Sequence, residues 1–163
     1  MGITFLVDGM LGGLARWLRI LGEYAEFDAH STDNELLAMA ETKHMVLLTR
    51  DEELYHRGTN RRISCLLVQG KNEPERLAEV GRAFNLKLEV DMSTTKCPEC
   101  GGELQKVSKA EAGSSVPQAS LRAYDDFWQC STISCGKIYW MGSHWRQIHN
   151  TLDQARQLLA NKS

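Results

Sequence analysis

The sequence predicts an α/β domain followed by a cysteine-rich zinc ribbon and a terminal helix. Two patterns support this prediction. Over residues 1–92, short apolar runs alternate with amphipathic helical segments, and after residue 95 four cysteines occur in two close pairs. Apolar strands without polar alternation, separated by helices, are typical of a mainly parallel sheet that is covered on both faces, which gives three layers. We therefore expect two domains, residues 1–92 and 93–163, in which the ribbon ends near residue 142.

Strand and helix patterns can be placed in order along the chain. Strands are predicted at residues 3–7, 24–27, 45–49, 63–68 and 86–90. Helices are predicted at residues 11–21, after the segment 32–35, and at 51–57 and 74–84. In the second part they are predicted at 118–126 and 143–160, with a loop at 113–117. The segment 91–95 is polar and is expected to mark the domain boundary.

Helix boundaries carry local signals. Thr32 and Glu35 have the spacing of a capping box, in which each side chain satisfies a backbone amide of the other residue. Gly22 can adopt the left-handed conformation that often ends a helix. Pro74 fits the first turn of a helix, because its missing amide proton would have no partner there.

The cysteine pattern is typical of a zinc site. Cys97 and Cys100 form a C-x2-C step, and Cys130 and Cys135 form a wider pair with four intervening residues. Zinc binds four thiolates in a tetrahedral shell, and such a site is structural because it leaves no position for substrate. Two disulfides are the alternative, which a reducing compartment disfavours. His144 can serve as the fourth zinc ligand if one of the cysteines does not bind.

Two glycines and a fifth cysteine complete this pattern. Gly101 and Gly136 each follow the second cysteine of a pair, where a residue without Cβ can adopt a positive φ. Cys65 lies in the apolar segment 63–68 and is expected to be a buried strand residue.

Composition limits the function classes. Hydrophobic residues make up 42% of the chain and charged residues 25%, as in a soluble globular protein. No apolar run approaches the roughly 20 residues that cross a bilayer. We therefore expect a cytoplasmic protein with no membrane partner. The net charge of −2 excludes a strongly basic nucleic-acid binder, so affinity for phosphate must come from a local patch or from bound cations.

Three aspartates are candidates for a catalytic metal site. Asp8 and Asp51 follow predicted strands, and ligands of parallel sheets bind at the carboxyl ends of the strands. Asp33 lies in the first turn of the helix between them. Three converging carboxylates would bind Mg²⁺ or Mn²⁺. The alternatives are structural, because such aspartates often form turns, cap helices or interact favourably with the helix dipole.

Nearby polar residues are candidates for phosphate binding. Arg16 and Arg50 can clamp phosphate oxygens, although each can instead pair with an acid of the protein. Thr49 can hold a metal-bound water or orient Asp8. In the second part, Lys137, Trp140, His144 and Arg146 are candidates for RNA binding together with neighbouring aromatic residues, because aromatic rings stack on unpaired bases. The tryptophans can equally fill the small ribbon core.

Several motifs together resemble a known family. They are FLVDGMLG at 5–12, LARWLR at 14–19, LLTRD at 47–51, CPECGG at 97–102, YDDFWQC at 124–130, CGKIYW at 135–140 and GSHW at 142–145. This ordered set is similar to the Mut-seven C-terminal RNase domain, a branch of the PIN-like nucleases, and covers nearly the whole chain. The resemblance implies a PIN-like domain with a C-terminal zinc ribbon, and hydrolysis of RNA with a divalent metal.

The resemblance also assigns roles to residues. Asp8 matches the first acid of the family and Asp51 the aspartate of the T-x-D signature, while Asp33 is the intermediate acid, for which Glu35 competes. Many PIN-like nucleases have a fourth acid after the next strand, but here the first carboxylate is Glu73. We therefore expect a metal-dependent ribonuclease for single-stranded RNA. The alternatives are a non-catalytic RNA-binding module of a larger RNA-processing assembly and a protein-interaction scaffold.

Overall fold

The first part of the protein is a four-stranded parallel sheet with helices on both faces. The structure is a computed structural model that describes residues 2–161. The strands are β1 (Thr4–Val7), β2 (Tyr24–Phe27), β3 (Val46–Thr49) and β4 (Cys65–Leu67), in the order β2-β1-β3-β4. The helices are α1 (Gly12–Ile20), α2 (Asp33–Lys43), α3 (Glu52–Asn60) and α4 (Glu73–Phe84). A 3-10 turn, Gly9–Leu11, joins β1 to α1.

Two hydrophobic cores confirm the three predicted layers. On one face, Phe5 and Leu48 of the sheet pack with Leu18 of α1 and Val80 of α4. On the other face, the sheet residues Leu6 and Leu47 pack with helices α2 and α3 through Leu36, Leu37 and Leu54. The local helix signals are also confirmed. Thr32 and Glu35 form the capping box of α2, and Gly22 has φ +89°.

The second part is a small antiparallel sheet. Its strands are β5 (Leu104–Val107), β6 (Phe127–Cys130) and β7 (Ile138–Tyr139), in the order β5-β6-β7. Two short helices, α5 (Lys109–Ala112) and α6 (Gln118–Ala123), connect β5 to β6. The four cysteines lie together at one end of this sheet, which is the arrangement expected for a zinc ribbon.

Several predicted elements differ from the structure, and the helix predicted at 51–57 continues to Asn60. The predicted strand at 86–90 is absent: Leu88 is buried in the first core, and its carbonyl accepts a hydrogen bond from Arg156 instead of pairing with the sheet. The helix predicted at 118–126 ends at Ala123, because β6 begins at Phe127. The loop predicted at 113–117 contains a 3-10 turn, Gly113–Ser115.

The terminal helix α7 (Ser143–Asn161) packs back on α4, as predicted. Leu152 and Ala155 are buried in the first core, and Leu159 packs against it. Within residues 2–161, no helix is long and apolar enough to cross a membrane. The boundary near residue 92 stays a prediction.

A buried arginine fastens the ribbon to the α/β part. Arg19 of α1 is only 7% exposed. Its guanidinium donates to the carbonyls of Ala25 (2.9 Å), Pro98 (2.9 Å) and Glu99 (3.3 Å), so it joins β2 to the first cysteine turn. Its own carbonyl accepts from the Lys96 amide at 2.9 Å.

Candidate functional site

Thr49 connects the two aspartates at the carboxyl edge of the sheet. β1 and β3 are neighbouring parallel strands, so Asp8 and Thr49 emerge at the same edge. The fully buried Thr49 hydroxyl donates to Asp8 Oδ2 at 2.8 Å and accepts from the Asp51 amide at 3.0 Å. The Asp8 amide also donates to the Leu48 carbonyl at 3.0 Å. The structure therefore places Asp8 and Asp51 on the two sides of one hydroxyl.

Each of these carboxylates retains one oxygen without a protein partner. Asp51 Oδ1 accepts from the amides of Glu53 (2.9 Å) and Leu54 (3.3 Å), which makes Asp51 the N-cap of α3. Within residues 2–161, neither Asp8 Oδ1 nor Asp51 Oδ2 accepts a hydrogen bond from the protein. Both residues are half-buried. The capping role anticipated for Asp51 thus uses only part of its carboxylate, and the remaining oxygens can bind a cation.

Asp33 is held by a different contact. It begins α2, and its Oδ2 lies 3.8 Å from Arg57 Nη1 of α3. Glu35 closes the capping box by accepting from the Thr32 amide at 3.4 Å. Across the described part of the chain, the four zinc-site cysteines are the only set of three or more candidate ligands within 4.8 Å of one another. The three aspartates therefore do not form a compact cluster in this conformation, and their shared metal stays a prediction.

Arg50 follows β3, and its side chain reaches the loop after β4, which ends at Glu73. Arg50 donates to the Gly70 carbonyl, which also accepts from Arg76 at 3.0 Å. Arg50 thus pairs with a backbone carbonyl. It does not pair with an acid of the candidate site, which was the structural alternative to phosphate binding. Glu73 Oε2 accepts from the Trp17 indole at 2.7 Å at the start of α4. This acid, the first carboxylate after β4, faces the start of α1, where a Cβ on Gly13 would lie 3.1 Å from its Oε1.

The four cysteines surround one centre. Cys97 Sγ lies 3.8 Å from Cys135 Sγ, and Cys100 Sγ lies 3.4 Å from Cys130 Sγ. Sulfurs in a tetrahedral shell with bonds of about 2.3 Å are separated by about 3.8 Å. No disulfide joins these cysteines. The donor set and spacing fit a structural metal such as zinc.

The cysteine thiols differ in how readily they ionise. Burial opposes ionisation of Cys100, but hydrogen bonds from the Gly102 backbone and neighbouring groups lower its pKa to about 7. Burial raises the pKa of Cys130 to about 12. Four adjacent thiolates would repel one another, so their joint ionisation needs the positive charge of a metal.

Backbone geometry and Tyr139 support the cysteine shell. Gly101 and Gly136 have φ of +79° and +59°, which confirms the conformation predicted for them. The Tyr139 hydroxyl lies 3.0 Å from Cys97 Sγ. Burial, followed by the contact with Cys97, raises the pKa of Tyr139, so this hydroxyl keeps its proton and can donate to a thiolate. Such outer contacts orient metal ligands.

A cleft of about 780 Å³ separates the α/β part from the ribbon and α7. Its walls combine cations, acids and aromatic rings from both parts. They include Arg16, Glu73, Lys137, Tyr139, Trp140, His144 and Trp145. Three of the four RNA-binding candidates in the second part, Lys137, Trp140 and His144, thus border one space together with Arg16. Arg146 is exposed on α7 but does not line the cleft.

The two cations of the cleft pair with the same acid. Arg16 Nη1 lies 2.7 Å and Lys137 Nζ 3.5 Å from Glu99 Oε1. The positive charges of Arg16 and then Lys137 hold the pKa of Glu99 below its usual range. The acid that engages Arg16 is therefore in the ribbon and is not one of the three aspartates.

The aromatic residues combine packing with exposure. Trp140 packs against Phe127 of the ribbon core, with ring centroids 6.1 Å apart, and its half-buried ring also borders the cleft. Trp145 contacts His149 edge to face at 5.8 Å. His144 is exposed in the first turn of α7. Trp140 therefore packs in the ribbon core and also borders the cleft, and its contact with RNA bases stays a prediction.

Sequence patterns did not single out Arg19 or Glu99. Arg19 lies on an amphipathic helix, where an arginine normally reaches solvent, and only the docked ribbon buries it. Glu99 is a spacer residue between two cysteines, and its partners are 83 and 38 residues away. One sequence signal pointed to Glu99: it lies inside the CPEC turn, and a metal-bound turn fixes the direction in which its side chain projects.

The fold and the sites define an α/β domain with a parallel sheet, joined to a ribbon whose four cysteines can bind a structural metal. The chain matches the Mut7-C RNAse domain over residues 3–152, so it belongs to this family. Family membership confirms the resemblance and indicates a nuclease or RNA-related function. No curated protein and no solved structure matches the chain significantly.

Proposed function

We propose that this protein hydrolyses phosphodiester bonds of single-stranded RNA with Mg²⁺ or Mn²⁺ at the carboxyl edge of the sheet. The observation that carries this proposal is the Asp8–Thr49–Asp51 arrangement. The buried Thr49 hydroxyl bonds to the Asp8 carboxylate and to the Asp51 amide, and within residues 2–161 each aspartate keeps one carboxylate oxygen without a hydrogen bond from the protein. A divalent ion there supplies an activated water and stabilises the leaving oxygen. Family membership supports RNA as the substrate class.

In this proposal each residue has a defined task. Asp8 and Asp51 bind the ion, and Thr49 orients Asp8 through its hydroxyl. Asp33 joins the site if its carboxylate exchanges Arg57 for the ion. This exchange costs little free energy. The Asp33 and Arg57 side chains are 46% and 36% exposed, and surface ion pairs contribute only about 0–1 kcal/mol.

The ribbon and the cleft would hold the RNA. Zinc bound by the four cysteines stabilises the ribbon and takes no part in hydrolysis. Arg16 borders the cleft one turn after the start of α1, and α1 follows the Asp8 turn directly. Asp8, Asp33 and Asp51 do not line the cleft, so an RNA bound there would have to extend past its rim to reach them. Lys137 and Arg146 would contact phosphates, and Trp140 and His144 would contact bases. Arg50 would steady a phosphate with the guanidinium nitrogens that do not bind Gly70.

The test is Asp8→Asn in the full chain with zinc bound. Asparagine keeps the size of the side chain but removes a charged metal ligand, so cleavage of a labelled single-stranded RNA in Mn²⁺ should fall at least about 100-fold. RNA affinity should be unchanged or higher. Asp125→Asn, an equal charge change on an exposed ribbon residue, should cleave like the wild type. Equal cleavage by Asp8→Asn and wild type would exclude this metal site.

The second candidate is a non-catalytic RNA-binding module in an RNA-processing assembly. The specific observation in its favour is that Asp33 pairs with Arg57 at 3.8 Å, so this carboxylate already has a positively charged partner. In this case the wild type binds RNA but never cleaves it with Mg²⁺ or Mn²⁺. A protein-interaction scaffold would show no salt-dependent affinity for RNA.

A further inference from the structure

Glu99 pairs with two cations that come from different parts of the protein. Its Oε1 receives Arg16 from the α/β part and Lys137 from the ribbon, at 2.7 Å and 3.5 Å. Both cations line the cleft, and within residues 2–161 neither has another acidic partner. Glu73, the acid that lines the cleft, binds the Trp17 indole instead. One carboxylate therefore pairs with both of these cations and offsets one of their two positive charges.

We propose that Glu99 occupies a phosphate subsite formed by Arg16 and Lys137, and that an RNA phosphate displaces its side chain when RNA enters the cleft. This inference rests on the proposed function, because RNA is taken as the ligand. The inference adds that the Glu99 carboxylate competes with incoming phosphates, so that only polyanions that bind strongly enough to displace it can enter the cleft.

The backbone around Glu99 is fixed while its side chain is accessible. The Glu99 and Pro98 carbonyls both accept from the buried Arg19, and the CPEC turn is further closed by a hydrogen bond of 2.7 Å from the Gly101 amide to the Cys97 carbonyl. The side chain itself is 39% exposed. Displacement therefore requires rotation about side-chain bonds and leaves the cysteine turn unchanged.

The exchange is energetically accessible. The side chains of Arg16 and Lys137 are 57% and 53% exposed, and ion pairs with this exposure contribute little to stability. A phosphate offers several oxygens to both cations at once, and a guanidinium can bind two of them in parallel. The freed carboxylate is rehydrated at the surface.

The first experiment compares RNA affinity in the zinc-loaded full chain without Mg²⁺ or Mn²⁺. The probe is a fluorescein-labelled decauridine followed by anisotropy. Glu99→Gln should tighten binding about 5- to 10-fold, because it frees two cations without removing the side chain. The matched control is Asp126→Asn, an equal charge change at an exposed ribbon pair with Lys106 outside the cleft. It should change affinity less than about 2-fold.

Arg16→Gln in both backgrounds tests the coupling. In the wild type it should weaken binding only slightly, because the phosphate contact that Arg16 gains is offset by the Glu99 contact that it loses. In Glu99→Gln it should remove most of the gained affinity, which makes the two changes non-additive. Equal tightening by Glu99→Gln and Asp126→Asn, or additive effects of Arg16→Gln, would overturn the exchange and leave the proposed RNA function intact.

A titration with inorganic phosphate separates the two proposals. The probe is the Nε–Hε NMR resonance of Arg16, which should respond at several-fold lower phosphate concentration in Glu99→Gln than in the wild type. If no variant binds decauridine but this response is present, the RNA function fails and the anion subsite stands. If Arg16 does not respond in Glu99→Gln, the subsite is overturned whatever the RNA result.

Discussion

Replacing Thr49 by valine tests the two hydrogen bonds by which strand β3 holds Asp8 and Asp51. Valine has nearly the same shape, but it removes the hydroxyl that donates to Asp8 at 2.8 Å and accepts from the Asp51 amide at 3.0 Å. A hydrogen bond to a charged group contributes about 1.5–3 kcal/mol, and an unsatisfied buried amide costs about 1–3 kcal/mol. Because water can solvate the half-buried Asp8, we expect the free energy of unfolding to fall by about 2–3 kcal/mol.

The same substitution should weaken the catalytic metal site. Without the hydroxyl, Asp8 loses its fixed orientation, and removal of such an outer contact typically reduces metal affinity or activity about 10- to 100-fold. Urea denaturation would give the free energy of unfolding, and a Mn²⁺ titration followed by electron paramagnetic resonance would give metal affinity.

Two further variants make this test decisive. Thr49→Ser keeps the hydroxyl and should retain most of the Mn²⁺ affinity. Thr59→Val removes an exposed hydroxyl that bonds only to the His56 carbonyl within its own helix, and should change the free energy of unfolding by less than about 0.5 kcal/mol. If Thr49→Val binds Mn²⁺ as well as the wild type does, Thr49 does not position the proposed ligands.

Three further predictions concern the ribbon and its attachment. Cys97→Ser should release zinc, measured by mass spectrometry, and unfold the ribbon, whereas unchanged zinc content would exclude this ligand set. Gly102→Ala should weaken zinc retention, because the new Cβ would lie 3.0 Å from a cysteine sulfur, while Gly113→Ala, where nothing lies within 4 Å, should not. Arg19→Met should lower the free energy of unfolding by about 2–4 kcal/mol in urea, since three carbonyls lose their donor; wild-type stability would refute this attachment.

Sequence patterns predicted the elements whose causes are local. The capping box at Thr32 needs only a spacing of three residues, and Gly101 and Gly136 need only the absence of Cβ. The run 86–90 shows the limit of such patterns. Its apolar residues can enter a strand or a helix interface, and the docking of α7 decides for the interface by burying Leu88.

The sequence by itself determined the layered α/β class, the four-cysteine ribbon and two aspartates at the ends of strands, because hydrophobic periodicity and ligand spacing act over short distances. The pairing of β1 with β3, which makes those two strands neighbours, belongs to the tertiary structure. Tertiary structure alone decided which charges meet. It buried Arg19 under the ribbon, paired Asp33 with Arg57, and placed Glu99 between Arg16 and Lys137. Charged side chains are long and nearly nonspecific in their partners, so their pairing depends on how distant surfaces dock, which no local pattern encodes.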